Sequence, residues 1–193
     1  LPVTGFDEHG NPIYDLAAMK RYDRPAPFGP SDDGYTIQRL VYDPERDVMF
    51  AAGWSTRLGK ETGYAGFGDV IVRYENWSTD PTLRTEIELP VTDEEFRSFA
   101  AAGDLIFVTR SKAIEVDPGT KANTRVHDSR DGRYLGTMAI GEIAHGGTGW
   151  VDIPYGLNAM RRANGEYLVT VEENWKSKQL LYRIPPQELV GDR

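Results

Sequence analysis

The chain has 193 residues, enough for one domain with a real core, and a net charge of −8. Its acidity excludes a nucleic-acid backbone as partner, because such binders need a positive stripe and the sequence offers only the Arg161-Arg162 pair. The absence of cysteine excludes disulfides, thiolate metal sites and a cysteine nucleophile. No apolar run approaches the ~20 residues of a membrane-spanning helix, and no signal-peptide pattern is present. With 20 glycines and 12 prolines, the chain carries the turn formers of an all-β protein.

Residues 3–7 and 12–15 read as short strands around a Glu8-His9-Gly10-Asn11 turn. Leu1-Pro2-Val3-Thr4-Gly5 spells a sortase-type LPxTG, but that signal works just ahead of an apolar tail near a C-terminus, so it is read as coincidence. Residues 16–22 are compatible with a turn or two of helix. The proline-rich run 24–30 can be neither helix nor inner strand and reads as an extended connector.

Three similar units follow. In the first, strands at 35–42 and 48–54 flank an Asp43-Pro44-Glu45-Arg46 turn, with Pro44 at its favoured second place. A glycine-rich loop, 55–68, leads to strands at 69–74 and 84–89. Thr92 to Glu95 resembles a helix start, but the run is too short to continue. The second unit has strands at 96–102, 105–109, 124–128 and 133–138, with a long connection over 111–123. A second glycine-rich loop, 139–156, precedes the third unit. There 157–163 and 166–172 flank Asn164-Gly165, a strong hairpin signal because both positions tolerate positive φ. A last strand covers 179–184.

Phe50, Phe107 and Val169 take matching places in the second strands, 57 and then 62 residues apart. Arg73, Val126 and Tyr182 do so in the third strands, at steps of 53 and 56. Four-stranded units at such a period predict a β-propeller, in which radially stacked sheets bury each other's faces. The expected organisation is a partial ring in one domain: outer strands of a preceding blade and a connector (1–30), a blade (35–90), a second blade (96–138) and an incomplete last blade (157–184). A β-sandwich is the plainer alternative.

Gly149-Trp150-Val151-Asp152-Ile153-Pro154-Tyr155-Gly156, then Arg161 to Val169 and Leu181-Tyr182-Arg183, resemble the last blade of large bacterial propeller proteins of the NHL or quinoprotein-like kind. Gly5-Phe6-Asp7, Gly10-Asn11-Pro12 and Tyr14 resemble the outer part of an upstream blade in the same proteins. The resemblance implies an exported protein, extracellular or periplasmic, and a ring completed by the remainder of the propeller or by a second copy of the chain. It implies no agreed catalytic residues.

Meander order puts the long connections at one face. That face would carry Trp54, Arg57, Tyr64, Trp150, Tyr155 and Trp175 as ligand-binding candidates, with Phe67 and Lys176 beside them. Aromatic rings packing on sugar faces, with carboxylates accepting from hydroxyls, would suit carbohydrate. His145, Asp152, Glu172 and Glu173 are the candidates for catalysis. A histidine titrates near neutrality, and paired carboxylates cleave glycosides. Neighbouring carboxylates in one strand point to opposite faces, so Glu172 and Glu173 cannot both aim inward. Trp54, Trp77 and Trp175 at strand ends equally suit packing. No cofactor is expected and no metal site is assigned, although Asp and carbonyl oxygens would suit Ca²⁺. The residues leave two functions open: a carbohydrate- or ligand-binding scaffold, or a polysaccharide hydrolase or lyase acting on the same face.

Overall fold

The computed structural model describes residues 3–19, 35–55, 70–80, 84–90, 92, 94–111, 123–138, 154–173 and 178–185. Over these residues the protein is all-β, with no helix. The strands are β1 (Val3–Phe6), β2 (Pro12–Tyr14), β3 (Tyr35–Asp43), β4 (Val48–Ser55), β5 (Val70–Tyr74), β6 (Arg84–Glu88), β7 (Glu95–Ala102), β8 (Leu105–Ser111), β9 (Asn123–Asp128), β10 (Tyr134–Thr137), β11 (Pro154–Arg161), β12 (Tyr167–Glu173) and β13 (Gln179–Ile184). Residues 16–19 form a turn rather than helix: Asp15 Oδ1 accepts from the N–H groups of Ala17 and Ala18, and Met19 N–H donates to Leu16. Thr92 Oγ1 likewise accepts from Glu94 N–H, and the chain goes straight into β7.

Each sheet is an antiparallel meander. Sheet I runs β3-β4-β5-β6, sheet II β7-β8-β9-β10 and sheet III β11-β12-β13, while β1 and β2 form a separate hairpin. Short turns at 44–47, 103–104 and 162–166 close one end. The strand ends flanking 56–69, 112–122 and 139–153 lie at the other.

The first strand of every sheet carries one residue too many. Between Ile37 and Arg39, between Phe96 and Ser98, and between Pro154 and Gly156, two residues of that strand oppose one of its partner. Such a bulge bends a strand and resets which side chains share a face. It makes Arg39, Ser98 and Gly156 equivalent, opposite Ala52, Thr109 and Glu172. Counting on from there corrects the register expected in the third unit. Phe50 and Phe107 match Thr170 rather than Val169, and Arg73 and Val126 match Leu181 rather than Tyr182. A slip of one residue exchanges the faces.

With the register set, the packing follows one rule. One face of sheet I (Val48, Phe50, Ala52, Ile71, Ile87) buries against Phe99, Ala101, Ile106 and Val108 of sheet II. The other face of sheet II (Ala100, Ala102, Phe107, Val126) buries against Leu157, Tyr167, Val169 and Val171 of sheet III. Sheet II is covered on both sides, and every residue of β8 is buried. A strand packed on both faces reads as a continuous apolar run, as Leu105-Ile106-Phe107-Val108 does. β7 touches both β3 and β11, so the three first strands lie side by side.

Polar contacts pin the three sheets together at the short-turn end. Arg46 Nε donates to Asp43 at 2.7 Å, and its Nη1 reaches Asp104 Oδ1 at 3.4 Å and Ser129 Oγ at 3.3 Å. The Asp104 N–H donates to the Tyr167 hydroxyl of sheet III, whose ring packs on Phe107 at 5.9 Å. Gly103 sits in this knot with φ of +51°, and a Cβ there would lie 2.8 Å from the Tyr167 hydroxyl oxygen and 2.9 Å from Arg161 Cδ. Gly103→Ala therefore meets both backbone strain and a clash; the expected loss is about 1–3 kcal/mol of unfolding free energy in urea.

Asp128 is buried beside the knot and accepts from Arg130 through Nη2 at 2.7 Å and Nε at 3.0 Å. Arg130 holds the Asp128 carboxyl down at about 2, against an ordinary 3.8. A depressed folded value means the stabilisation is in full force above pH 4 or so and fades as pH falls through about 2. Acid titration of stability should show this loss, and Asp128→Asn should remove that part of it.

Candidate functional site

Of the residues expected at the long-connection end, Arg57, Tyr64, Phe67, His145, Trp150, Asp152, Trp175 and Lys176 lie outside the described residues. Trp54, Tyr155 and Glu173 are placed by their backbone alone, near the ends of β4 and β12 and the start of β11. Glu172 is the member of the set whose side chain is described. Whether His145 and Asp152 meet it therefore falls outside the described residues as well.

Three polar side chains gather around Glu172. It stands opposite Gly156 on β11 and Gln179 on β13, so the three form one cross-strand row. Gln179 Nε2 donates to Glu172 Oε1 at 2.7 Å. The other carboxylate oxygen lies over Gly156, in the space a Cβ would fill. Arg39 arrives from β3, two sheets away. Its Nη2 donates to the Leu157 carbonyl and, at 3.0 Å, to Asn158 Oδ1.

The equivalence created by the bulges explains why this assembles in sheets I and III and not in sheet II. At the shared place, large Arg39 stands over small Ala52, small Gly156 lies under large Glu172, and Ser98 and Thr109 close on each other through the Thr109 hydroxyl. Sheet II thus keeps its face dry. Sheets I and III contribute one cation and one anion, near enough for the Glu172 carboxylate to support the charge on Arg39.

Burial works against the charge on Arg39, and the Glu172 carboxylate supports it. Arg39 Nε is enclosed and has no hydrogen-bond partner. Asn158 and Gln179 are exposed and complete a mixed set of donors and acceptors. The cluster can hold hydroxyl groups, each of which both gives and takes a hydrogen bond. It contains no nucleophile paired with a base. The described histidines stand elsewhere. His127 is buried in β9, where Nδ1 donates to the Gly132 carbonyl at 2.9 Å and desolvation lowers its pKa, keeping it neutral. His9 is on the exposed β1–β2 turn beside Glu8. Among the described residues no group of three or more His, Asp or Glu is placed to hold a metal ion.

Sequence reasoning singled out Glu172 and missed its three polar companions. Arg39, in the alternating run Ile37-Gln38-Arg39-Leu40, reads as an ordinary solvated strand residue. Its reach across β7 depends on a bulge that leaves no mark in the sequence.

No family model matches the chain, and no curated protein matches it. Among solved structures it is similar to an N-acetylgalactosamine deacetylase from F. plautii, solved in complex with blood group B trisaccharide. That match has 11% identity and a TM-score of 0.45, and it covers 94% of this chain and 59% of the other. The chain thus spans well under two thirds of that protein's length, and at this score the likeness bears on neither fold nor activity.

Gly156 is required by the carboxylate above it. Gly156→Ala should cost about 1–3 kcal/mol of stability in urea denaturation, and Glu172→Ala in the same chain should recover part of the loss.

Proposed function

We propose that this chain is part of a β-propeller that binds carbohydrate where its innermost strands meet. Sheets I, II and III are its blades, and β1–β2 is the outer part of a preceding one. The arrangement that supports the propeller is the run of meander sheets stacked face on face, each with its first strand beside the next and each first strand bulged at the same place. The resemblance of the last unit to NHL and quinoprotein-like proteins agrees with it. In this reading the axis passes beside Arg39 and the open edge of β11.

The observation that carries the ligand class is the net charge of the cluster. Arg39 and Glu172 offset each other, and Asn158 and Gln179 add amides at the exposed rim. An anionic ligand would meet Glu172, and a cationic one would meet Arg39. Neutral hydroxyls fit both, and aromatic side chains from the long connections would supply the flat surface that sugars need. Arg39 and Asn158 make the contact, while Glu172 and Gln179 hold Arg39 and the strand ends in place.

Titration calorimetry with a panel of neutral oligosaccharides tests the reading. Binding is expected for at least one member, weakened tenfold or more by Asn158→Ala in a chain of unchanged stability. Absence of binding across the panel, or binding that ignores Asn158→Ala, removes it.

A further inference from the structure

β10 is the least anchored strand of sheet II. It has four residues, lies at the sheet's edge and pairs with β9 across a bulge between Tyr134 and Gly136. Tyr134 and Leu135 are exposed. What fixes the strand is the turn before it. There the Gly132 N–H donates to the Asp128 carbonyl at 3.0 Å. Gly132 has a φ of +76°, and a Cβ on it would lie 2.5 Å from Ile87 Cγ2 and 3.1 Å from the Glu88 carbonyl oxygen. The turn is thus pressed against β6 of sheet I.

His127 ties that turn down. It stands in β9 between Ile106 of β8 and Tyr134 of β10, and it is 1% exposed. Its Nδ1 donates to the Gly132 carbonyl at 2.9 Å, and its ring meets Tyr134 edge-on at 5.7 Å. Nε2 is buried and has no hydrogen-bond partner among the described residues. A proton on Nε2 makes it a charged donor with nothing there to receive it. The surrounding charges do not compensate. β8 brings Arg110 and β9 brings Arg125, and both work against a cation on the ring. The carboxylates of the same sheet are engaged: Glu94 accepts from Arg125 at 2.9 Å and from Asn123 at 2.7 Å, and Asp128 accepts from Arg130 at 2.7 Å. In the turn, Asp131 accepts from the Arg133 N–H, and the Arg133 guanidinium lies 3.7 Å from Asp128. From sheet I, β6 turns Thr85 and Ile87 toward sheet II, and β5 turns Arg73, which is paired with Glu75 at 2.7 Å.

We infer that His127 is an acid-released latch on β10: neutral, it holds the β9–β10 turn against sheet I, and protonated, it leaves its site and frees β10 from the edge of sheet II. Leaving takes the donor from the Gly132 carbonyl and the ring support from Tyr134, while the core of sheet II stays in place. The strand that comes away leads through residues 138–153 to β11, where Asn158 stands. Burial and the two arginines hold the folded ring's pKa below its ordinary 6.5. The latch is therefore at full strength above pH 6.5 and weakens as pH falls below it, because the open form takes up a proton that the closed form refuses. One proton taken up on opening raises the open population by up to about tenfold per pH unit.

The test is amide hydrogen exchange of the full chain between about pH 7.5 and 4.5, corrected for intrinsic rates. Protection of the Gly132 and Met138 amides, which donate to Asp128 and Thr124, should fall about tenfold or more by pH 5. The Ile106 to Val108 amides of β8 should hold. This loss precedes the one tied to Asp128, which sets in only below pH 4 or so. His127→Phe, which has nothing to protonate, should show no such step. Should that chain fail to fold, nitrogen shifts of the imidazole in the unaltered chain decide the matter, since ring protonation and loss of protection must share one midpoint. Protection that persists to pH 4.5 or so overturns the inference. So does an equal fall in His127→Phe, or a ring that protonates while both amides stay protected.

Discussion

One extra residue in each first strand governs the rest of this structure. A strand of period two has no freedom to choose its faces once its register is fixed. The bulges at residues 37–39, 96–98 and 154–156 fix it alike in three sheets. From that follow the two core clusters between the sheets, the burial of β8 on both sides, and the meeting of Arg39 with β11. Without the bulge in β3, Arg39 would exchange faces with its neighbours and the polar cluster would not form.

The two ends of the stack carry different work. At the short-turn end, Asp104 gathers Arg46 from sheet I and Tyr167 from sheet III, and Arg46 is tied at once to Asp43, Asp104 and Ser129. At the other end the polar groups are looser: Asn158 and Gln179 are exposed, and Arg39 retains an unused donor. Binding sites are commonly built on the variable end of a scaffold whose other end holds it rigid. The side chains argued to meet ligand are accordingly those that the core does not consume.

Much of the fold was legible. Hairpin signals such as Asn164-Gly165 and apolar runs such as Leu105 to Val108 located most of the described strands within a residue or two. What the sequence hid was register. Sheet III is apolar on both faces, with Leu168 beside Val169 and Leu180 beside Leu181, so alternation could not say which residue matches Phe50 and Phe107. The extra residue at Tyr155 decides it, and a bulge carries no signature of its own. The same limit applies to the site. Glu172 stands out as a carboxylate at a strand end, but Arg39 and Asn158 matter because of a contact 119 residues apart in sequence. No local pattern encodes that contact.

The claim on which the site depends is that Arg39 joins sheet I to sheet III. A double-mutant cycle with Arg39→Met and Asn158→Ala, followed by urea unfolding, measures it most directly. The expected coupling is about 1 kcal/mol, in the range found for directly hydrogen-bonded partners. Free energies that add to within about 0.3 kcal/mol would contradict it, because two side chains that do not touch have nothing to couple.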